Sequence, residues 1–320
     1  MKRLPLLAKA HRFLRPNVKP SAPPHRIRNS GAKVVVIMGP TGCGKTKLSI
    51  DLASRFFSPR AEIVNADKIQ VYRGLDITTN KIPFPDRRDV PHHLLGEFTP
   101  SEARPVFTAA DFRGSGSAAI DRIVSRRGVP FVVGGSNSFL YAVLAERFDP
   151  GVDVFGAPGT EFCTELRYGC CFLWVDVSPA VLNRYLERRV DEMLGMGMVE
   201  ELENYFRRNG DRSGECVTEM AIGVTEFRDY FRFGGGGCEK NDAHYEEAVR
   251  AIKSNTCQLA ERQLGKILRL RDAAGWKLNR VEATSSLSAA IAGRKTEAAA
   301  IWEKQVLQPS VKIVKKFLTE

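Results

Sequence analysis

A glycine-rich segment near the start of the chain, Gly39–Thr46, has the residue types and spacing of a phosphate-binding loop. It reads Gly-Pro-Thr-Gly-Cys-Gly-Lys-Thr and matches the pattern G-x-x-x-x-G-K-S/T. The apolar run Val34–Met38 precedes it and helical spacing of Leu48, Leu52 and Phe56 follows it, which is the order of strand, loop and helix that this motif requires. The chain is therefore predicted to bind a di- or triphosphate.

The residues of this loop bring two kinds of contact to a phosphate. Glycines let backbone N–H groups turn toward an anion, and the helix N-terminus adds a partial positive charge. Lys45 adds a full positive charge, and the Thr46 hydroxyl is a ligand type that Mg²⁺ accepts. Magnesium, carried on the bound phosphates, is the cofactor predicted here.

Two further strand ends carry small or polar residues. Asp67 closes a second apolar run, where a carboxylate can ligate Mg²⁺ or accept a proton, but where it can equally cap a helix. Residues Gly134–Ser138 close a third run, and their glycines and small hydroxyls would let backbone approach an anion. An ordinary strand-to-helix turn has the same composition, so both interpretations stay open here.

Basic residues on a late helical segment form a row on one helix face. Leu259, Arg262 and Lys266 share a helical phase at spacings of three and four residues. Such a row could reach phosphates from a second lobe, although solvated charge is the commoner role of basic helix residues.

The elements that must position these residues alternate along the chain. Near-continuous apolar runs predict buried parallel strands at 33–38, 61–65, 130–134 and 171–177. Helical spacing is found at 45–57, 108–127, 179–194, 198–208 and 243–271. This alternation predicts an α/β fold, a P-loop NTPase-like parallel sheet flanked by helices, with ligands at the C-terminal ends of the strands.

Composition shifts divide the chain into four segments. They are a basic N-terminal segment at 1–30, an α/β core at 31–178, a mainly helical lobe over the site at 179–271, and a C-terminal segment at 272–320 that returns to the core. No apolar run approaches the roughly 20 residues of a membrane span, so no membrane partner is predicted. Seven scattered cysteines without a C-x-x-C pair exclude the usual zinc spacings and indicate a reducing compartment.

The net charge of +11 is concentrated in the N-terminal segment. Residues 1–30 hold eight Lys or Arg and no acidic residue, so the rest of the chain is nearly balanced. A basic segment without acids favours a transit peptide over a plain basic tail. The predicted location is the plastid, with mitochondrion and cytosol as alternatives.

Five segments in this order resemble the dimethylallyl (isopentenyl) transferases that modify N6 of adenine. They are Gly39–Thr46, Asn65–Ile77, Val90–Leu94, Gly134–Ser138 and Leu259–Gln263. The resemblance covers nearly the whole chain from residue 33 onward. The segments Asp67–Tyr72 and Pro91–Leu94 are its most specific parts.

Within that family, the sequence resembles the plant adenylate branch, which modifies free adenine nucleotides, rather than the branch that modifies tRNA. The segments Asp76–Lys81 and Phe172–Val177 are typical of the adenylate branch, as is Asn137. Only a short loop stands at 148–170, where the tRNA enzymes carry a helical insertion, and the sequence has no C-terminal zinc finger. The balanced charge of the body also lacks the basic face that tRNA binding needs. The resemblance therefore implies no tRNA partner, and a monomer is expected.

The resemblance assigns roles to the residues described above. The loop is expected to hold dimethylallyl diphosphate, while AMP, ADP or ATP is the acceptor. Asp67 is expected to accept the proton of N6 as it attacks C1 of the prenyl group. Lys45, Thr46 with Mg²⁺, and Arg262 are expected to stabilise the leaving diphosphate. The other expected substrate contacts are Gly39, Thr41, Gly42, Cys43, Gly44, Gln70, Gly135, Ser136, Asn137, Arg228 and Lys266.

One position departs from the family's pattern. Adenylate enzymes usually have Lys or Arg before the segment Ala221–Gly223, but here Met220 follows Glu219. Preference for ADP and ATP over AMP is still expected, although a smaller one. The alternatives to an adenylate isopentenyltransferase are a tRNA dimethylallyltransferase, a P-loop kinase and a nucleotide-binding module without catalysis.

Overall fold

The fold is seen in a computed structural model of the chain. It describes residues 31–102, 104–156, 159–209, 221–233 and 240–320. The basic segment at 1–30 and Met220 lie outside these residues, so the expectations for them remain predictions. The division into four domains remains a prediction as well.

Six parallel strands form one sheet. In chain order they are β1 (Lys33–Met38), β2 (Ala61–Asn65), β3 (His92–His93), β4 (Val129–Gly134), β5 (Gly169–Asp176) and β6 (Leu278–Glu282). Their order across the sheet is β3-β2-β4-β1-β5-β6, and every neighbouring pair is parallel. Since β1 lies between β4 and β5, the phosphate loop leaves the middle of the sheet.

Ten α-helices connect and cover the strands in the described part of the chain. They are α1 (Lys45–Phe56), α2 (Ala109–Ser125), α3 (Asn137–Leu144), α4 (Pro179–Gly195), α5 (Met198–Asn209), α6 (Val224–Phe233), α7 (Lys240–Asp272), α8 (Thr284–Ile291), α9 (Lys295–Trp302) and α10 (Gln308–Thr319). A π-helical turn at Glu303–Leu307 joins the last two.

The two faces of the sheet carry two separate apolar layers. Along β1, Val34 and Val36 pack on one side, while Val35 and Ile37 pack on the other. This is the alternation of side chains that a strand imposes, and helices cover both faces of the sheet. The first layer includes residues of α2, α3 and the end of α7, and the second includes residues of α1, α4 and α10.

A third apolar cluster lies among helices. Val190 and Met193 at the end of α4 pack with residues of α5, α6 and the first half of α7, such as Leu202, Phe227 and Ile252. This cluster gives the helical region beyond the sheet a core of its own.

The predicted α/β fold is confirmed, and the predicted strands and helices agree with the observed ones to within three residues at either end. The short edge strand β3, the helices α3 and α6, and the elements β6 and α8–α10 were not predicted from sequence. In the described ranges, no helix is both long and apolar enough to cross a membrane.

Candidate active site

The phosphate loop is held open by glycines in left-handed backbone conformations. Gly42 has a φ of 81° and Gly44, the residue before α1, has a φ of 98°. A Cβ on Gly44 would lie 2.8 Å from the Trp302 ring, so glycine is required there for conformation and for space. The ammonium of Lys45 donates to the Pro40 carbonyl at 2.7 Å and thereby folds back over its own loop.

A small chamber of about 210 Å³ lies beside this loop. The N-terminal end of α1 and the ends of β2 and β4 line it. The loop side chains and glycines facing it are Thr41, Gly42, Gly44, Lys45 and Thr46. The predicted loop residues Gly39 and Cys43 do not line it. Cys43 is instead buried in the apolar layer beneath, where burial raises the pKa of its thiol.

A larger chamber of about 400 Å³ lies between the strand ends and the helical region. Polar residues face it from the sheet side, including Lys68, Thr78 and Ser136. Apolar side chains face it from the helices and from the segment after β2: Ile69, Val190, Met193, Ala221, Ile222, Ile252 and Leu259. A chamber lined by both polar and apolar side chains suits a ligand that has a flat or branched apolar part beside a charged one.

The two chambers adjoin and share part of their walls. The common residues are Thr41, Asp67, Gln70, Asn80, Gly135, Arg189 and Gln263. A ligand in the small chamber can therefore meet a ligand in the large one beside Asp67. This is the arrangement that a group transfer between two substrates requires.

The carboxylate of Asp67 is fixed by the turn that follows β2. Its Oδ1 accepts the backbone N–H groups of Ile69 at 2.9 Å and Gln70 at 3.1 Å. Asp67 thus caps a turn with one oxygen, whereas one of the two sequence interpretations proposed that it caps a helix. No hydrogen bond to its Oδ2 is found within the described residues, so capping does not use up the carboxylate. The two interpretations therefore do not exclude each other.

The end of β4 approaches the backbone after β2 very closely. A Cβ on Gly134 would lie 2.0 Å from the Ala66 carbonyl oxygen, so only glycine fits. The Ser136 hydroxyl accepts the backbone N–H of Lys68 at 2.8 Å. Because of these contacts, Gly135 and Ser136 face the chambers beside Asp67.

Helix α7 brings basic and amide side chains over the sheet. Arg262 and Lys266 line the large chamber, as their shared helical phase suggested. Between them, Gln263 is buried and its Oε1 accepts the backbone N–H of Thr41 at 2.7 Å. The amide of Asn137 donates to the Gln263 carbonyl at 3.0 Å. Helix α7 is thereby attached to both the phosphate loop and the start of α3.

Arg228 is placed differently from the other predicted residues. It lies on α6 and is not one of the residues that face either chamber. Apart from Gly39 and Cys43, the remaining predicted site residues, Gln70 and Asn137 among them, all face at least one chamber.

Arg189 on α4 is a site residue that was not predicted from sequence. It faces both chambers, and its Nη2 donates to the Thr41 hydroxyl at 3.2 Å. Burial lowers the pKa of its guanidinium, with Tyr185 and Asp67 among the groups that oppose the shift, and the arginine remains charged. Arg189 lies close in helical phase to Leu182, Leu186 and Val190 on the buried face of α4. This spacing was the signal in the sequence that could have identified it.

The residues around the loop fit a magnesium ion that is carried on a diphosphate. The small chamber is lined by a hydroxyl, an amide and a carboxylate from Thr46, Asn65 and Asp67, which are the hard oxygen ligands that Mg²⁺ prefers. Across the described ranges, no cluster of three or more His, Cys, Asp or Glu could hold a metal. Any magnesium here would therefore need ligands from the substrate as well as from the protein.

Two family models match the chain. The model described as isopentenyl transferase matches residues 32–89, and the model described as IPP transferase matches residues 70–154 and 153–266. Among curated proteins, the chain is 53% identical to an adenylate isopentenyltransferase of Humulus lupulus, over 89% of this chain and 90% of the relative. It is 49% identical to adenylate isopentenyltransferase 1, chloroplastic, of Arabidopsis thaliana, over 92% of this chain and 84% of the relative.

The names of further Arabidopsis relatives differ in the organelle that they give. Several are called chloroplastic and one is called mitochondrial. Among solved structures, a eukaryotic dimethylallyltransferase acting on tRNA has the same fold, with a TM-score of 0.71. It is 22% identical, and the match covers 90% of this chain and 80% of that one.

Proposed function

Since the chain belongs to the isopentenyl transferase family, we propose that it transfers the dimethylallyl group of dimethylallyl diphosphate to N6 of an adenine nucleotide. Diphosphate is released. The observation that carries this proposal is the pair of adjoining chambers with Asp67 in their shared wall. Formation of an N6-prenylated adenine nucleotide is the first step of cytokinin biosynthesis.

The donor diphosphate is assigned to the small chamber. The backbone of Gly42 and Gly44 and the N-terminus of α1 provide N–H groups and positive potential there. Lys45 would exchange the Pro40 carbonyl for a phosphate oxygen. As negative charge grows on the leaving diphosphate, Lys45 and Arg262 stabilise it. Arg189, which reaches the same loop through Thr41, adds a third positive charge.

The adenine nucleotide is assigned to the large chamber, with N6 toward Asp67. The N6 lone pair is delocalised into the purine ring, so N6 is a weak nucleophile without a base. As N6 bonds to C1 of the prenyl group, the bond between C1 and the diphosphate oxygen breaks. The N6 proton passes to the Asp67 carboxylate. The apolar side chains that line the chamber keep water away from the partly cationic allylic carbon.

Magnesium is proposed as the cofactor, held by the diphosphate together with Thr46. Its chemistry when bound is to neutralise charge on the leaving group. Thr46 at the start of α1 contributes the protein's hydroxyl, and Lys45 beside it holds the same diphosphate from the loop side.

ADP and ATP are proposed to be better acceptors than AMP, because Lys266 lines the large chamber and would offer a positive charge to phosphates beyond the first. Arg228 lies away from both chambers and is a weaker candidate for this role. We further propose that the enzyme acts as a monomer, without tRNA, and that its basic N-terminal segment directs it to the plastid. A fluorescent fusion of the full chain should enter plastids, and removal of residues 1–30 should leave it in the cytosol.

Identification of the product tests the reaction. The protein is incubated with dimethylallyl diphosphate, Mg²⁺ and one acceptor at a time: AMP, ADP, ATP or unmodified tRNA. Mass spectrometry should detect an N6-prenylated nucleotide with ADP and ATP, less with AMP, and none in tRNA. Product in tRNA alone would favour the tRNA enzyme. Transfer of labelled γ-phosphate from ATP, without prenylation, would indicate a kinase.

A further inference from the structure

A hydrogen-bonded connection links the helical region to the carboxylate of Asp67. It starts at Glu201 on α5, a residue that faces neither chamber. Its Oε1 accepts the backbone N–H of Ile77 at 3.0 Å, and its Oε2 accepts both the backbone N–H and the hydroxyl of Thr78 at 2.7 Å. Hydrogen bonds to a charged acceptor are about twice as strong as neutral ones.

The segment that Glu201 holds has an unusual backbone. Leu75 and Asn80, at its two ends, have φ values of 53° and 52°, a conformation that residues other than glycine seldom adopt. Such backbone persists only where surrounding contacts hold it in place. Thr78, between them, is buried and faces the large chamber, so the carboxylate of Glu201 fixes the middle of this turn.

Gln70 continues the connection from that turn to the active site. Its side-chain amide donates to the carbonyls of Thr79 at 3.0 Å and Asn80 at 3.1 Å. Its backbone N–H donates to Asp67 Oδ1 at 3.1 Å. Gln70 is therefore hydrogen-bonded both to the turn at 75–80 and to the carboxylate.

We infer that Glu201 is a positioning residue for prenyl transfer: through the turn at 75–80 and Gln70, it sets the direction of the Asp67 carboxylate. This inference rests on the proposed function, in which Asp67 accepts the N6 proton. Glu201 faces neither chamber, so its effect should fall on kcat and not on the KM for dimethylallyl diphosphate. Glutamine can accept from only one of the two backbone groups, because its amide nitrogen is a donor.

A double-mutant cycle of Glu201→Gln and Asp67→Asn tests this inference. Glu201→Gln should lower kcat about tenfold, because catalysis falls steeply when a catalytic group is misplaced by a fraction of an ångström. In the Asp67→Asn background the same change should alter kcat by less than about twofold, since the group it positions no longer acts as a base. Glu200→Gln is the matched control, because the neighbouring Glu200 is exposed, and it should leave kcat unchanged.

The outcomes separate the two claims. If the wild-type protein prenylates no adenine nucleotide, the proposed function fails. If it is active and Glu201→Gln lowers kcat by the same factor in both backgrounds, or does not lower it at all, the role of Glu201 is refuted. Should Glu201→Gln fail to fold, Thr78→Val removes one of the three hydrogen bonds. It should show the same dependence on Asp67 with a smaller loss.

Discussion

The backbone N–H of Thr41 in the phosphate loop donates to the side-chain oxygen of Gln263 on α7, across 2.7 Å and 222 residues of sequence. Because Gln263 is buried and its own backbone carbonyl accepts the amide of Asn137, the two contacts join the loop, α7 and the start of α3. The shape of the phosphate loop thus depends on a helix that is distant from it in the sequence.

We predict that Gln263→Leu weakens donor binding. Leucine has a similar size but leaves the Thr41 N–H without its acceptor, which costs about 1 kcal/mol and corresponds to a roughly fivefold higher KM for dimethylallyl diphosphate. Gln305→Leu, at an exposed position of the π-helical turn, should leave this KM unchanged. Equal effects of the two changes would mean that the contact does not shape the loop.

Lys45→Ala should weaken the donor far more than the nucleotide. Loss of a charged hydrogen bond to phosphate raises the KM for dimethylallyl diphosphate by about tenfold to a hundredfold, while the KM for ATP changes little. Inorganic diphosphate should compete with the donor in initial-rate measurements. Lys312→Ala, at an exposed position of α10, provides the control. Competition of diphosphate with ATP alone would place the nucleotide in the loop instead.

The C-terminal segment supports the phosphate loop through a buried contact. The indole N–H of Trp302 donates to Asp51 on α1 at 3.0 Å, and the ring lies against Gly44. Trp302→Phe removes one donor from a buried carboxylate and should lower the free energy of unfolding by about 1 to 3 kcal/mol. Urea denaturation measures this change.

Glu303 provides the comparison for that variant. Glu303 pairs with Arg55 on α1, but both side chains are more than a third exposed. Glu303→Gln should therefore cost less than about 1 kcal/mol. If the two variants lose equal stability, the buried contact with Asp51 stabilises the fold no more than the exposed ion pair does.

Glu62 on β2 should make stability depend on acid pH. Burial alone would raise the pKa of this carboxyl, but hydrogen bonds from Arg126 and His93 outweigh it, and the pKa is lowered. A lowered pKa gives stability that is present above the unfolded value of about 4.3 and is lost as pH falls through the folded value. The stability difference between wild type and Glu62→Gln should shrink below about pH 4. A difference that is constant from pH 7 to pH 3 would contradict this.

The sequence predicted the parts of the site that are local in the chain. The loop at Gly39–Thr46 carries its own glycines, lysine and helix start, and Asp67 and Gly134 each end an apolar run. Parallel strands bring such ends to one edge of the sheet, so their proximity follows from the fold class. The row of Arg262 and Lys266 was visible from helical spacing.

Contacts between distant segments could not be predicted in this way. From the sequence alone, Arg189 would be taken for a solvent-exposed basic residue. Only the packing of α4 directs its side chain into the site. Gln263 and Glu201 act through hydrogen bonds that span more than 120 residues. Apart from the Thr78 hydroxyl, their partners are backbone groups, which every residue has, so residue types in the sequence mark these contacts poorly.

The kcat of Asp67→Asn tests most directly whether the carboxylate between the two chambers accepts the N6 proton. Asparagine keeps the shape and the oxygen that accepts the N–H groups of Ile69 and Gln70, but it cannot take up a proton. We predict a kcat lower by roughly 10² to 10⁴ and an almost unchanged Kd for dimethylallyl diphosphate, with the exposed Asp86→Asn as control. A kcat near that of the wild type would contradict the account.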